Sequence, residues 1–159
     1  MTSIRIQLGI IPAVAALWLA ACGGTPSSGA APSPSPALIH TASMKVGDKT
    51  LTVLKNTKGL TLYYFTPDTA TKVACTAGCA TNWPPLLATS GTPTSNPVLP
   101  GQLTVLSGAN GNQVLYNGHP LYTYSKDGDA DNAFGQGVGG KWFVATPDLA
   151  AMAASTPSY

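Results

Sequence analysis

Glutamate is missing from the 159 residues, and arginine occurs once, at Arg5. Charged residues make up only 9% of the chain, and the formal net charge is +2. A chain so poor in charge has no basic stripe to hold a phosphate backbone and no field to steer one, which excludes nucleic-acid binding. Long apolar runs are just as scarce. Beyond residues 8–21 none approaches the twenty residues that a permanent membrane-spanning helix needs. Cysteine occurs three times, too seldom for a disulfide framework. Glycine, proline, threonine, serine and asparagine are plentiful instead. That balance disfavours a helical bundle and suits a β-rich exported protein with many turns.

The one apolar run follows a thin positive segment, Arg5 and the amino terminus, and ends in Leu19-Ala20-Ala21-Cys22. It is too short for a permanent span and reads as a secretory leader over residues 1–21. The four residues resemble a bacterial lipobox, which implies that the Cys22 thiol is diacylated and becomes the first residue of the mature chain. At about 0.8 kcal/mol per buried CH₂, one acyl chain binds a membrane reversibly and two anchor it stably. Removing the leader leaves 138 residues (159 less 21), a size that suits one domain and a tail. They carry seven lysines and six aspartates. The expected partners are the membrane, through Cys22, and an unidentified envelope component. No nucleic acid and no cofactor are expected.

Residues 22–43, rich in Pro, Ser and Gly, cannot bury apolar surface and read as a disordered, partly extended tether. The folded part is expected over 44–147, followed by a C-terminal tail at 148–159. Within it the sequence repeats. Gly59, Leu62, Tyr63, Phe65, Asp68 and Trp83 are matched in order by Gly118, Leu121, Tyr122, Tyr124, Asp127 and Trp142, each 59 positions on (122 less 63). Copies of about 50–88 and 103–147 are each too small for a secure core, so they should pack as one pseudo-symmetric domain.

The pattern inside each copy is β. Residues 51–54 run through a turn at 56–59 into 60–65. In the second copy 103–106 pairs with 113–116, and the tight Asn117-Gly118 turn leads into 121–124. A late strand is expected over 141–146, and Thr146-Pro147-Asp148 reads as the cap of a short final helix. The predicted fold is an all-β, compact, mostly antiparallel domain of two pseudo-symmetric, hairpin-containing repeats.

Tyr63-Tyr64-Phe65-Thr66-Pro67-Asp68 and Tyr122-Thr123-Tyr124-Ser125-Lys126-Asp127 both fit a Tyr-x-(Phe/Trp/Tyr)-x-x-Asp motif. Here the chain resembles a bacterial lipoprotein family defined by that motif, a secreted repeat of unknown function. Cys75-Thr-Ala-Gly-Cys79-Ala-Thr-Asn-Trp83-Pro-Pro-Leu86 and Gly135-Gln-Gly-Val-Gly-Gly-Lys-Trp142 are similar to further elements of it. The resemblance covers nearly all of 50–147 and implies no biochemical activity.

Several residues carry candidate chemistry. With Cys22 acylated, Cys75 and Cys79 form an exported even pair and read as a disulfide, a local staple worth about 2 kcal/mol. The same spacing serves redox couples and copper sites, with His119, His40 or Met44 as a third ligand. Positions 59 after the cysteines are Phe134 and Val138, so the equivalent loop of the second copy should be pinned by apolar packing. That substitution favours the staple. Asp127, Asp129 and Asp131 alternate as in calcium loops, but EF-hand glycine and glutamate are replaced by Asn132 and Val138, so a solvated turn is the better reading.

Asp68 and Asp127 can be paired acid–base carboxylates, yet their repeated place favours closing a turn by accepting backbone N–H bonds. His119 can be a base or ligand, but no nucleophile motif accompanies it, and a half-buried turn residue is expected. The aromatics Tyr63, Phe65, Trp83, Tyr122, Tyr124 and Trp142 can offer a stacking platform. Matched repetition favours a shared core. Taken together, the sequence predicts a lipid-anchored extracytoplasmic protein of the cell membrane, or of the outer membrane or periplasm if two membranes exist. It is expected to be a non-catalytic binding module, not an enzyme. The alternative is a redox or copper-handling module using Cys75 and Cys79.

Overall fold

Ile39-His-Thr-Ala-Ser-Met-Lys-Val46 alternates between two faces of a strand, with Ile39 burying to one side and Met44 and Val46 to the other. This strand, β1 (Ile39–Val46), turns at Gly47-Asp48 and pairs antiparallel along its whole length with β2 (Lys49–Asn56). The turn is tight because Gly47 takes φ 60°, a left-handed value that costs glycine little. The structure, a computed structural model, describes residues 36–153. The leader, Cys22 and most of the expected tether lie outside the described residues.

The boundary expected at 43/44 is corrected by β1. Residues 39–43 belong to the sheet, and Ile39 is fully buried. Small neighbours (Thr41, Ala42 and Ser43) disguise that strand in the sequence, and its hydrogen bonds come from β2 and, at Ile39 N–H, from Thr94 O.

β2 leads through the 56–59 turn into β3 (Tyr63–Phe65). A five-residue helix, α1 (Gly78–Asn82), interrupts the loop that follows. β4 (Ser95–Asn96) adds two parallel residues to β1 beside Ile39 and His40. In the second repeat β5 (Leu103–Gly108) pairs with β6 (Gly111–Tyr116), with Leu103 facing Tyr116 and Leu106 facing Gln113. The Asn117-Gly118 turn then joins β6 to β7 (His119–Pro120), both turn residues at positive φ. A 3-10 turn at Val138–Gly140 precedes β8 (Trp142–Val144). Among the described residues three sheets result, in the orders β2-β1-β4, β3-β8 and β5-β6-β7. The fold is all-β and mostly antiparallel, built from two repeats.

The repeats do not sit side by side as closed units. Each lends its last strand to the other. β8, from the second repeat, pairs with β3 of the first. Its mirror image places Pro85 and Leu86 of the first repeat against Tyr122 and Leu121 of the second. The backbone bonds come in matched pairs. Leu54 N–H donates to Ala145 O and Val114 N–H to Leu86 O, both at 2.8 Å. Thr66 N–H donates to Lys141 O and Ser125 N–H to Asn82 O, both at 2.9 Å. At the centre Tyr63 and Tyr122 exchange both N–H···O bonds, at 2.8 and 3.0 Å. A pseudo-twofold axis therefore passes between these two tyrosines.

Two core clusters follow from that exchange. One is aliphatic, with Ile39, Leu54, Leu62, Val114 and Leu121 at its centre. The other is aromatic and holds Tyr63, Tyr122, Trp83 and Trp142 with Val53 and Cys75. The expected final helix at 146–148 is not formed. The chain makes a turn there, and its tail docks onto the Asn117-Gly118 turn instead: Tyr116 Oη donates to Pro147 O, Asn117 Nδ2 to Leu149 O, and Met152 N–H to Asn117 O. These tertiary bonds satisfy backbone groups that a one-turn helix would have left open.

Candidate functional site

The repeated motif converges on one place. Tyr63 and Tyr122 are fully buried, so each phenol must find a partner inside the protein. Each finds the aspartate of the opposite repeat. Tyr63 Oη donates to Asp127 Oδ2 at 2.5 Å, and Tyr122 Oη donates to Asp68 Oδ2 at 2.7 Å. The second carboxylate oxygens close their own loops. Asp68 Oδ1 accepts from Ala74 N–H and Asp127 Oδ1 from Phe134 N–H. Both aspartates are almost wholly buried. Burial pushes the Asp68 carboxyl above its ordinary range, against the bonds from Ala74 and Tyr122. It drives both phenols far above theirs, reinforced by the facing carboxylates.

Beside these pairs the aromatic side chains form a column. Phe65 stacks on Trp142 at 4.3 Å between ring centroids, Trp142 on Trp83 at 3.7 Å, and Trp83 on Tyr124 at 4.1 Å. The tryptophans meet across the pseudo-twofold axis with parallel planes. Tyr63 meets Trp83 edge-on at 5.5 Å, and Tyr122 meets Trp142 edge-on at 5.1 Å. The column ends, Phe65 and Tyr124, are half-buried.

The loop carrying Asp127, Asp129 and Asp131 is held by an ammonium. Lys55 is buried in β2, and its Nζ donates to Ala130 O, to Thr61 Oγ1 at 3.1 Å and to Met44 Sδ at 3.3 Å. Thr61 Oγ1 donates in turn to Asn132 O at 2.7 Å. Burial lowers the Lys55 pKa, while Asp131, Asp127 and Asp129 oppose that shift. Asp129 Oδ1 accepts from Asp131 N–H within the loop. Among the described residues no three His, Cys, Asp or Glu side chains gather as metal ligands, so the candidates His119, Asp127, Asp129 and Asp131 are not brought together.

Phe134 corrects the expectation of apolar pinning. It is 63% exposed, and Ala133 and Val138 pack against the aromatic cluster in its place. Polar bonds from Lys55, Thr61 and Asp127 hold the loop. The repeat register also slips there, since Ala74 is matched by Phe134, one position beyond the 59-residue offset. The counterpart of Cys75 is then Gly135. A Cβ at Gly135 would lie 2.7 Å from Tyr63 Cε1 and 2.9 Å from Trp83 Cη2.

Cys75 and Cys79 are joined as a disulfide, S–S 1.99 Å, and Cys75 is fully buried. A disulfide offers no thiolate to a soft metal. Met44, one suggested third ligand, already accepts from Lys55. The loop is also tied to the second repeat, because Asn110 Nδ2 donates to Cys75 O and to Gln113 Oε1. His119 is half-buried in the turn that receives the tail. Its Nε2 meets Ala150 O at 3.0 Å, while its Nδ1 is buried with no hydrogen-bond partner among the described residues. Burial lowers its pKa, opposed by Ala150 O and Asp68.

Lys55, Thr61, Asn110 and Gln113 were missed from the sequence. The available signals were a lysine directly after the apolar Val53-Leu54 and a glutamine beginning an apolar strand.

A family model described as a secreted repeat of unknown function matches the chain twice, over residues 47–87 and 104–146, together more than half its length. No curated protein and no solved structure matches it.

Proposed function

Because the chain belongs to this family of secreted repeats of unknown function, we propose that it is a lipid-anchored envelope protein whose folded domain binds a protein partner and performs no catalysis. Membership of a secreted family fits an extracellular or envelope location. The anchor is the finer part of the reading and rests on the lipobox-like residues 19–22. Cleavage before Cys22 and diacylation of its thiol attach the chain to the outer face of the cell membrane, or to the outer membrane where two membranes exist. Among the described residues no helix is long and apolar enough to cross a membrane.

One observation carries the non-catalytic part. The residues that the motif repeats are spent on one another: both buried phenols on the opposite aspartates, the aspartates on their own loops, and the tryptophans on each other. A catalytic carboxylate needs an open face toward a substrate. These carboxylates are almost wholly buried. Backbone at one sheet edge is open to a partner. β5 is an edge strand of its sheet, and Thr104, Val105, Ser107 and Gly108 on it are exposed. Such an edge accepts a strand from a partner through main-chain bonds.

The test uses the intact protein in its own envelope. The chain should fractionate with membranes and show a diacylated Cys22 by mass spectrometry, while Cys22→Ala releases it. Crosslinking through a photoreactive residue at Val105 should capture one defined envelope protein. Unmodified Cys22 in a soluble fraction would end the anchor reading, and absence of any specific crosslink at β5 would end the binding reading.

A further inference from the structure

The aromatic column does more than fill space. Packing alone asks a buried phenol for a neutral acceptor, and Tyr116 has one, the carbonyl of Pro147. Tyr63 and Tyr122 face carboxylates instead, which costs the desolvation of two acidic groups. Asp68 balances that cost with backbone amides and the Tyr122 hydroxyl, with no ammonium among the described residues bonded to it. A carboxylate differs from a carbonyl in one chemical respect relevant here. It can take the proton.

We infer that the column Phe65–Trp142–Trp83–Tyr124, with its two Tyr–Asp pairs, is a one-electron relay: an oxidant removes an electron at Tyr124, and the vacancy settles on Tyr63 or Tyr122 as the facing aspartate accepts the phenol proton. Among the described residues Cys75 and Cys79 are held as a disulfide, so indole and phenol are the side chains there most readily oxidised by one electron. Centroid separations of 3.7–4.3 Å put neighbouring rings in contact from one end to the other. The two ends differ. Phe65 is hard to oxidise, whereas Tyr124 is oxidisable and half-buried, so it is the entry. Each tryptophan also touches one buried tyrosine edge-on.

Oxidised phenol is a strong acid and needs an acceptor within hydrogen-bond reach. Asp127 and Asp68 stand at 2.5 and 2.7 Å. Burial favours the neutral phenols at rest and the protonated Asp68 afterwards, in line with that transfer.

The step balances with an organic peroxyl radical as the oxidant. The radical gains one electron and leaves as a peroxide anion, which solvent protonates. The protein loses that electron and ends with a neutral phenoxyl radical on Tyr63 or Tyr122. The phenol O–H bond breaks, and a carboxyl O–H bond forms on Asp127 or Asp68. The relay does not depend on the Cys22 anchor or on a partner at β5.

The experiment uses the full chain with photogenerated ruthenium(III) tris-bipyridine as the oxidant. Electron paramagnetic resonance should show a neutral tyrosyl radical. Tyr63→Phe and Tyr122→Phe should each reduce its yield, and the pair should abolish it. Formation should be slower in deuterated water, since a proton moves with the electron. Tyr124→Phe, at an end bonded to no carboxylate, should slow radical formation. A radical assigned to Tyr64 or Tyr116, equal rates in light and heavy water, or an unaltered rate in Tyr124→Phe would overturn the relay. If the double variant fails to fold, the isotope comparison on the natural chain and Tyr124→Phe still decide.

Discussion

Tyr63, in the first repeat, donates a 2.5 Å hydrogen bond to Asp127, in the second, and the same bond is made in reverse by Tyr122 and Asp68. The motif residues therefore act across the pair of repeats. A Tyr-x-aromatic-x-x-Asp segment cannot satisfy itself, because its own aspartate folds back to accept Ala74 N–H or Phe134 N–H while its tyrosine crosses the axis. Neither repeat has a complete set of partners alone.

This crossing makes Tyr63→Phe costly. The variant removes one donor and leaves Asp127 buried with an unused oxygen, a loss of about 1–3 kcal/mol. Tyr122→Phe should cost a similar amount through Asp68. Denaturant unfolding of the singles and of Tyr63→Phe/Asp127→Asn checks the pairing, since the double variant should lose less than the two singles summed. Strict additivity would mean that the hydroxyl and the carboxylate do not act together.

Lys55→Met should release the second repeat's long loop. The variant keeps the volume but removes the donor to Ala130 O and to Thr61, leaving buried acceptors open. A loss of about 1–3 kcal/mol is expected. Hydrogen exchange over 128–134 should rise well before exchange in β1 and β2. Unaltered exchange in that loop would show that the ammonium is not what holds it.

Gly135→Ala tests the close approach of the loop to the aromatic cluster. The added methyl would meet Tyr63 Cζ at 2.8 Å and Trp83 Cη2 at 2.9 Å, too near for either ring to remain in place. Overpacking of this kind costs about 1–3 kcal/mol. Near-ultraviolet circular dichroism should register the displaced tryptophan. A variant with natural stability and spectrum would contradict the packing.

The disulfide should matter little to the fold. Cys75→Ser/Cys79→Ser opens a four-residue separation, and chain entropy assigns such a staple about 2 kcal/mol. The folded spectrum should persist, with only the unfolding midpoint lowered. Unfolding of the whole domain at room temperature would give the bridge a larger role than loop closure provides.

Acid should loosen the tail through His119. Its folded pKa lies below 6.5, so the unfolded chain binds the proton more readily. The stability it contributes is present above pH 6.5 and is lost as pH falls from there toward the folded value. Asp68 acts in the opposite sense: its raised pKa contributes stability at low pH that fades as pH rises above 3.8. The protection of the Met152 N–H, which bonds Asn117 O, taken relative to the intrinsic exchange rate at each pH, should therefore fall below about pH 6.5, and His119→Gln should flatten that dependence. An unchanged profile in His119→Gln would remove the histidine from the clamp.

By itself the sequence determined what is local or repeated. Alternation and the Asn117-Gly118 turn set the β5-β6-β7 meander, because positive φ at two successive residues admits few other turns. The 59-residue offset marked the motif tyrosines, aspartates and tryptophans as one shared structure. Only the tertiary structure decided which copy each of them serves. Periodicity along a chain is unchanged when two repeats exchange their last strands, so the crossing of Tyr63 to Asp127 leaves no trace in it. The same holds for Lys55. A lone lysine in an apolar strand reads as an edge or an error until the Ala130 carbonyl, 75 residues away, arrives to receive it. Ile39 and the docked tail at 147–152 belong with these, since their partners come from β2 and from the 117–119 turn rather than from neighbours in sequence.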